Sequence, residues 1–128
     1  MRFLLDTQAF IWFITDDPKL SAFARSLIEN PDNERLLSIA GLWEMAIKMC
    51  LGKLDLEKPF EELFPHQLEL NDIEVLAIEI AHLKKVSVLP FHHRDPFDRL
   101  IIAQSLVEQL PVVSIDTKFD EYGVERLW

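Results

Sequence analysis

From Pro111 to Ile115 the chain runs Pro-Val-Val-Ser-Ile, β-branched and without regular alternation of apolar and polar positions. A strand with one wet face alternates, whereas a continuous run suits a sheet covered on both faces, the usual state of parallel sheets. The start of the chain reads the same way, since Arg2–Leu5 is a short apolar run broken at Asp6. Between these two runs, helical and strand-like segments take turns. Thr7–Ile14 reads as a short helix that Asp16-Asp17-Pro18 ends. Ser21–Glu29 sets Phe23, Ala24, Leu27 and Ile28 at helical spacing, and Asn30-Pro31-Asp32-Asn33 turns the chain into a second strand, Arg35–Leu37. Ser38 suits the cap of a helix running to Leu51, with Gly52 as its stop. That helix is apolar on most faces and is expected to be mostly buried. Pro59–Leu70 reads as a helix, Ile73–Ile78 as a strand and Ala81–Val86 as a short helix. Asp95-Pro96 opens a helix that continues to Gln109, and Val124–Trp128 is a final strand. Strands alternating with helices predict an α/β fold with a parallel sheet.

The length of 128 residues fits one domain, 1–128, and 49% hydrophobic residues suffice for a sizeable core. A lone cysteine, Cys50, allows no internal disulfide and agrees with a reducing compartment. Asp6 interrupts the first apolar run, so MRFLLDTQAF does not read as a signal peptide, and no apolar stretch nears the ~18 residues that span a bilayer. A cytoplasmic location, with no membrane partner, is the expectation. The net charge of −9 works against a nucleic-acid partner, because phosphate binding gains from basic surfaces. Its weight depends on how many of the acids gather to bind metal.

Some acids end elements rather than decorate them. Asp6 and Asp116 each directly follow an expected strand, and ligands of parallel α/β sheets bind at the carboxyl ends of strands. Both also suit caps or turns, which aspartate favours. Glu44 sits inside an apolar helix, where an unpaired charge is costly; Lys48, four residues on, offers it an ordinary ion pair. Asp95 is most simply an N-cap. Asp98 lies one turn in, on a face that continues as Ile101 and Ile102. Such a position is unusual for a surface acid, although a capping-box or dipole role fits it too. His66, His82, His92 and His93 lack metal-ligand spacing; His92-His93 lies in a loop that could touch substrate or be merely solvated. Cys50 is expected to pack inside its helix, and three glycines leave no phosphate-cradling loop.

Four segments, FLLDTQAFIW, SIAGLWEMAIKMCLGKL, HRDPFDRLIIAQSL and VVSIDTKFDEYGVERLW, together resemble the PIN-domain ribonucleases. Within them the likeness is to the toxins of VapBC-type toxin–antitoxin pairs. The segments keep the family's order from the first residues to the last, with the weakest stretch between Asp55 and Leu89. The resemblance implies a three-layer α/β/α sandwich around a central parallel sheet. It assigns the catalytic, metal-holding acids to Asp6, Glu44, Asp98 and Asp116, with Asp95 and Asp120 as lesser extras. Gln8 departs from the family, where histidine is frequent.

The implied activity is Mg²⁺- or Mn²⁺-dependent hydrolysis of RNA, leaving 5′-phosphate and 3′-hydroxyl ends. Physical chemistry agrees with that assignment. Carboxylates ~4 Å apart repel by about 4 kcal/mol per pair at an effective dielectric of ~20, so their pKa values rise or cations fill the site. Oxygen-only ligands select Mg²⁺ or Mn²⁺ over zinc. Thr7, Ser38, Ser114 and Thr117 are candidates to orient the acids, and Lys48, Arg94 and Arg99 to clamp the RNA backbone or to form local ion pairs. The resemblance also implies a homodimer and a cognate antitoxin. An acidic nuclease would favour a basic inhibitor, and Phe10, Trp12 and Phe13 are candidates to line its groove. Two rivals stand beside this reading. A haloacid-dehalogenase-type phosphatase needs a second acid where Gln8 stands, and a catalytically inactive PIN-like module would only bind a partner.

Overall fold

The computed structural model describes residues 1–128. Five strands form one sheet: β1 (Arg2–Leu5), β2 (Glu34–Ser38), β3 (Ile73–Leu76), β4 (Val112–Val113) and β5 (Arg126–Leu127). Their order across the sheet is β3-β2-β1-β4-β5, and every neighbouring pair is parallel. Side chains alternate between faces along each strand. Phe3, Leu5, Leu37 and Val113 enter one apolar cluster, while Leu4, Leu36 and Val112 enter a second on the opposite face. Two dry faces explain why the strands read as unbroken apolar runs. Each fully buried leucine of this kind contributes roughly 1.5–3 kcal/mol.

Helices cover both faces. Helix α1 (Thr7–Ile14) follows β1, α2 (Ala22–Glu29) precedes β2, and α3 (Ile39–Cys50) follows β2. Ser21 and Ser38 cap α2 and α3 through their side-chain oxygens. Next come α4 (Phe60–Leu63) and α5 (His66–Leu70), then α6 (Ile80–Val86) and α7 (Pro96–Glu108). The three-layer sandwich expected from the sequence is present. A short 3₁₀ helix at Thr117–Tyr122, absent from the sequence reading, links β4 to β5.

Three expectations need correction. Pro59–Leu70 is two short helices, because Pro65 has no N–H to donate and keeps Phe64 extended (φ −126°, ψ 133°). Helix α3 is buried on one side only: Ala40, Gly41, Leu42, Glu44 and Met45 face in, while Ile39, Trp43 and Cys50 are exposed. Cys50 at its end is therefore not a core residue. Strand β4 stops at Val113, short of the expected Ile115.

The strand order places the site. From β1 the chain runs outward through β2 to β3, then crosses back to start β4 on the other side of β1. In open parallel sheets the crevice for a ligand opens at such a reversal, outside the carboxyl ends of the two strands. Here those strands are β1 and β4, held together as the Asp6 N–H donates to the Val113 carbonyl at 3.1 Å.

Candidate active site

Each candidate acid reaches this crevice from a different element. Asp6 leaves β1 and caps α1, its Oδ1 accepting from the Ala9 N–H at 2.7 Å. Glu44 comes from the middle of α3. Gly41, one turn earlier, lets that helix approach α1, since a Cβ there would meet Thr7 Oγ1 at 3.0 Å. Asp98 comes from the first turn of α7, and Asp116 follows β4 and caps the 3₁₀ helix through the Lys118 N–H. The caps therefore exist and do not compete with a place in the cleft, because one carboxylate can cap with one oxygen and face the cleft with its other lone pairs. Asp6, Thr7, Gln8, Glu44, Lys48, Asp95, Asp98 and Asp116 line one cleft of about 190 Å³.

The cleft is electrostatically strained. Burial is the main reason the Asp98 carboxyl is pushed up to about 8, with Asp95, Asp6, Glu44 and Asp116 adding like charge. Burial likewise raises Asp6 to about 6; the Ser114 hydroxyl and the Ala9 N–H pull it back, and Asp116 and Glu44 push it further up. One cation answers these acids. Lys48 Nζ lies 2.8 Å from Glu44 Oε2, and that hydrogen bond raises the lysine pKa. The other oxygen, Glu44 Oε1, is buried with no partner. A buried carboxylate oxygen without a donor is costly, and a cation in the cleft would satisfy it.

The lesser candidates divide. Asp95 Oδ1 accepts from the Phe97 and Asp98 N–H groups at 2.8 and 3.1 Å, so it caps α7 from the cleft's edge. Ser114 Oγ accepts from the Asp116 N–H at 3.0 Å and so stands between two of the acids. Thr7 Oγ1 is buried without a partner. Asp120 lies outside the cleft, paired with Arg126 on the surface at 3.0 Å. Arg99 is not a phosphate clamp either. Its guanidinium is buried and donates to the carbonyls of Leu89, Pro90 and His93, while packing over the Phe91 ring at 4.2 Å. It binds the loop before α7 into place. Arg99→Ala would orphan two carbonyls, those of Leu89 and His93, each costing about 1–3 kcal/mol when buried unpaired, while Tyr122 would still donate to Pro90. We expect urea denaturation to show a loss of about 2 kcal/mol or more. Arg99→Lys should recover only part, since an ammonium lacks the planar fork. A change under ~0.5 kcal/mol would mean that the loop holds without it.

Sequence reasoning gave His93 only as a loop residue that could touch substrate or be merely solvated, and the structure shows it is not solvated. Its ring is buried, with Nε2 at 2.8 Å from Asp116 Oδ2 and 3.1 Å from Asp98 Oδ2. No spacing pattern marks it, because its partners are brought together by the fold. Of the proposed groove aromatics, Phe10 is fully buried in the core, while Trp12 and Phe13 are half-buried against it. An exposed aromatic does stand next to a cleft acid in sequence: Trp43, beside Glu44, whose ring meets Phe97 edge-on at 5.2 Å.

Comparison with known proteins identifies the family and the fold. The PIN domain family model matches residues 3–125, and the chain belongs to that family. Ribonuclease VapC16 of Mycobacterium tuberculosis is 33% identical over 69 residues, 51% of this chain and 49% of that protein, so the match spans about half of the relative's length. Among solved structures, VapBC2 from Rickettsia felis bound to a DNA fragment has a TM-score of 0.74 at 16% identity, covering 99% of this chain and 98% of that one. A toxin–antitoxin complex from Klebsiella pneumoniae has a TM-score of 0.64 at 15% identity, covering 98% and 96%. These distant likenesses speak to the fold alone. No helix is long and apolar enough to cross a membrane.

Proposed function

We propose that the protein is a divalent-cation-dependent endoribonuclease and the toxin of a toxin–antitoxin pair. One observation carries this reading. Four acids from four separate elements line one cleft at the sheet's reversal point, and one of their oxygens, Glu44 Oε1, is buried without a partner. Asp6, Glu44, Asp98 and Asp116 would hold Mg²⁺ or Mn²⁺, which oxygen-only donors favour. Such an ion supplies an activated water and stabilises charge developing at phosphorus. The chain's own groups do the rest. Ser114 and the Ala9 N–H fix the Asp6 carboxylate, so its free lone pairs point into the cleft in one orientation. Glu44 is held by Lys48 through Oε2, which leaves its buried, unpartnered Oε1 as the oxygen that would meet the cation. Lys48, half exposed, is the cation best able to meet an RNA phosphate.

The partner follows from charge. With a net charge of −9 and an acid-lined cleft, the protein would repel an acidic inhibitor and attract an antitoxin segment rich in arginine. Arginine can bridge two carboxylates with its fork. The Klebsiella pneumoniae toxin–antitoxin complex, which shares this fold, supports an antitoxin partner, and its basic character rests on the charge argument alone.

The test is cleavage of RNA by the purified chain in Mg²⁺ or Mn²⁺ and in EDTA, with analysis of the product ends. Cleavage only with the cation, leaving 5′-phosphate and 3′-hydroxyl ends, is expected. An arginine-bearing antitoxin should block it, less effectively as salt rises. Undiminished cleavage in EDTA overturns the mechanism, and no cleavage at all leaves a module that only binds a partner.

A further inference from the structure

The ring of His93 faces the acid cleft, and its hydrogen bonds fix where its proton lies. Nδ1 is 3.2 Å from the Asp95 N–H, a group that can only donate, so Nδ1 is the acceptor. The hydrogen of the neutral ring is then on Nε2. That N–H is shared between Asp116 Oδ2 at 2.8 Å and Asp98 Oδ2 at 3.1 Å. The lone pair on Nδ1 is taken and Nε2 carries hydrogen, so the ring has no free nitrogen for a metal. Its apparent membership of a metal-holding trio with Asp98 and Asp116 is a hydrogen-bond relation instead.

We propose that His93 is a positioning residue whose Nε2–H bridges Asp98 and Asp116 and sets the spacing and rotation at which the two carboxylates present their remaining lone pairs to a divalent cation. The two acids belong to different elements, α7 and the turn after β4, and no backbone bond between those elements fixes one carboxylate relative to the other. A shared donor does. The ring is itself held from behind. The His93 N–H donates to the Tyr122 hydroxyl at 2.8 Å, the His93 carbonyl accepts from Arg99 at 3.2 Å, and the Tyr122 hydroxyl donates to the Pro90 carbonyl at 2.7 Å. Phe119 stands edge-on to the ring at 6.2 Å. This explains why Arg99, an internal cation with no acidic partner, sits one residue beyond Asp98: it fixes the loop that aims the histidine. Partners that orient metal-binding side chains typically matter 10–100-fold in metal affinity. The inference rests on the reading that these acids hold a divalent cation.

Two substitutions separate the two nitrogens of the ring. In His93→Asn the amide oxygen stands where Nδ1 stood and still accepts from Asp95, but nothing reaches the acids. In His93→Gln the amide N–H stands where Nε2 stood and still can. Mn²⁺ affinity is read by electron paramagnetic resonance of the free ion during titration, with melting in EDTA as the check on folding. His93→Asn should melt close to wild type yet bind Mn²⁺ ~10-fold or more weaker, and His93→Gln should recover most of the affinity. Wild-type affinity in His93→Asn, or equal loss in both folded variants, overturns the proposal while leaving the metal reading intact. A wild-type chain that binds no Mn²⁺ overturns both. The proton is also read directly, without any variant, from long-range ¹H–¹⁵N spectra of the wild-type histidines. Hydrogen on Nε2 alone is expected, and hydrogen on Nδ1 overturns the assignment.

Discussion

Asp6→Asn, Glu44→Gln, Asp98→Asn and Asp116→Asn should each slow RNA cleavage by at least ~10², the scale of removing one positioned charge from a transition state. Each substitution keeps size and most hydrogen bonds, so the loss reads charge rather than packing. Asparagine at position 6 can still cap α1 through its carbonyl oxygen, and the same holds at position 116 for the 3₁₀ helix. Asp120→Asn is the matched control. Its carboxylate pairs with Arg126 outside the cleft, in an exposed setting where ion pairs are worth about 0–1 kcal/mol, so cleavage should stay near wild type. Asp95→Asn should fall between, because its oxygen caps α7 while its charge faces Asp98. Losses should not add in double substitutions if the acids act as one unit. Single-turnover rates at saturating Mn²⁺ measure all of this. Any one of the four variants retaining full rate would remove that acid from the site, and an equal loss in Asp120→Asn would mean that the charge of the whole surface matters instead.

The sequence made legible whatever depends on order along the chain. Unbroken apolar strands such as Phe3-Leu4-Leu5 announce two covered faces, and an aspartate just past a strand marks the edge where ligands bind. Cap residues with a fixed offset, Ser38 and Asp95, mark helix starts within a residue or so. What escaped depends on approach between distant segments. Asp120 and Arg99 neighbour assigned acids in sequence, yet one faces solvent and the other the loop below α7. His93 has no sequence relation to Asp116, 23 residues away, and becomes a partner only when the loop before α7 meets the turn after β4. The extent of α4 and α5 was obscure because the local pattern stayed helical across Pro65, while the break lies in backbone sterics.

In EDTA, Asp98→Asn should melt higher than wild type, by a margin that grows with pH. The Asp98 carboxyl is raised from 3.8 to about 8 in the folded chain, and Asp6 to about 6. Below pH ~4 both folded and unfolded chains hold these protons, and the groups contribute no difference. Above it the unfolded chain releases them and the folded chain does not, so unfolding gains about 1.4 kcal/mol per pH unit per group until the folded value is reached. Stability from Asp6 therefore falls between about 4 and 6, and from Asp98 between about 4 and 8. Asparagine at 98 removes the larger of the two losses. An opposing effect exists, since an acid in the first turn of a helix is favoured by the dipole, but that is worth only about 0.3–1 kcal/mol. The strain is the larger quantity, so the variant should gain on the order of a few kcal/mol at pH 8 and close to nothing at pH 4. Mg²⁺ or Mn²⁺ should reverse the order. At a hundredfold excess over its Kd a ligand stabilises the folded state by about 2.7 kcal/mol, and the variant has lost one of the groups that would bind it. Melting curves from pH 4 to 8, with EDTA and with Mn²⁺, decide the matter. A variant that melts lower than wild type at pH 8 in EDTA would make Asp98 an ordinary helix-start acid. The four carboxylates would then be less crowded than their shared cleft implies.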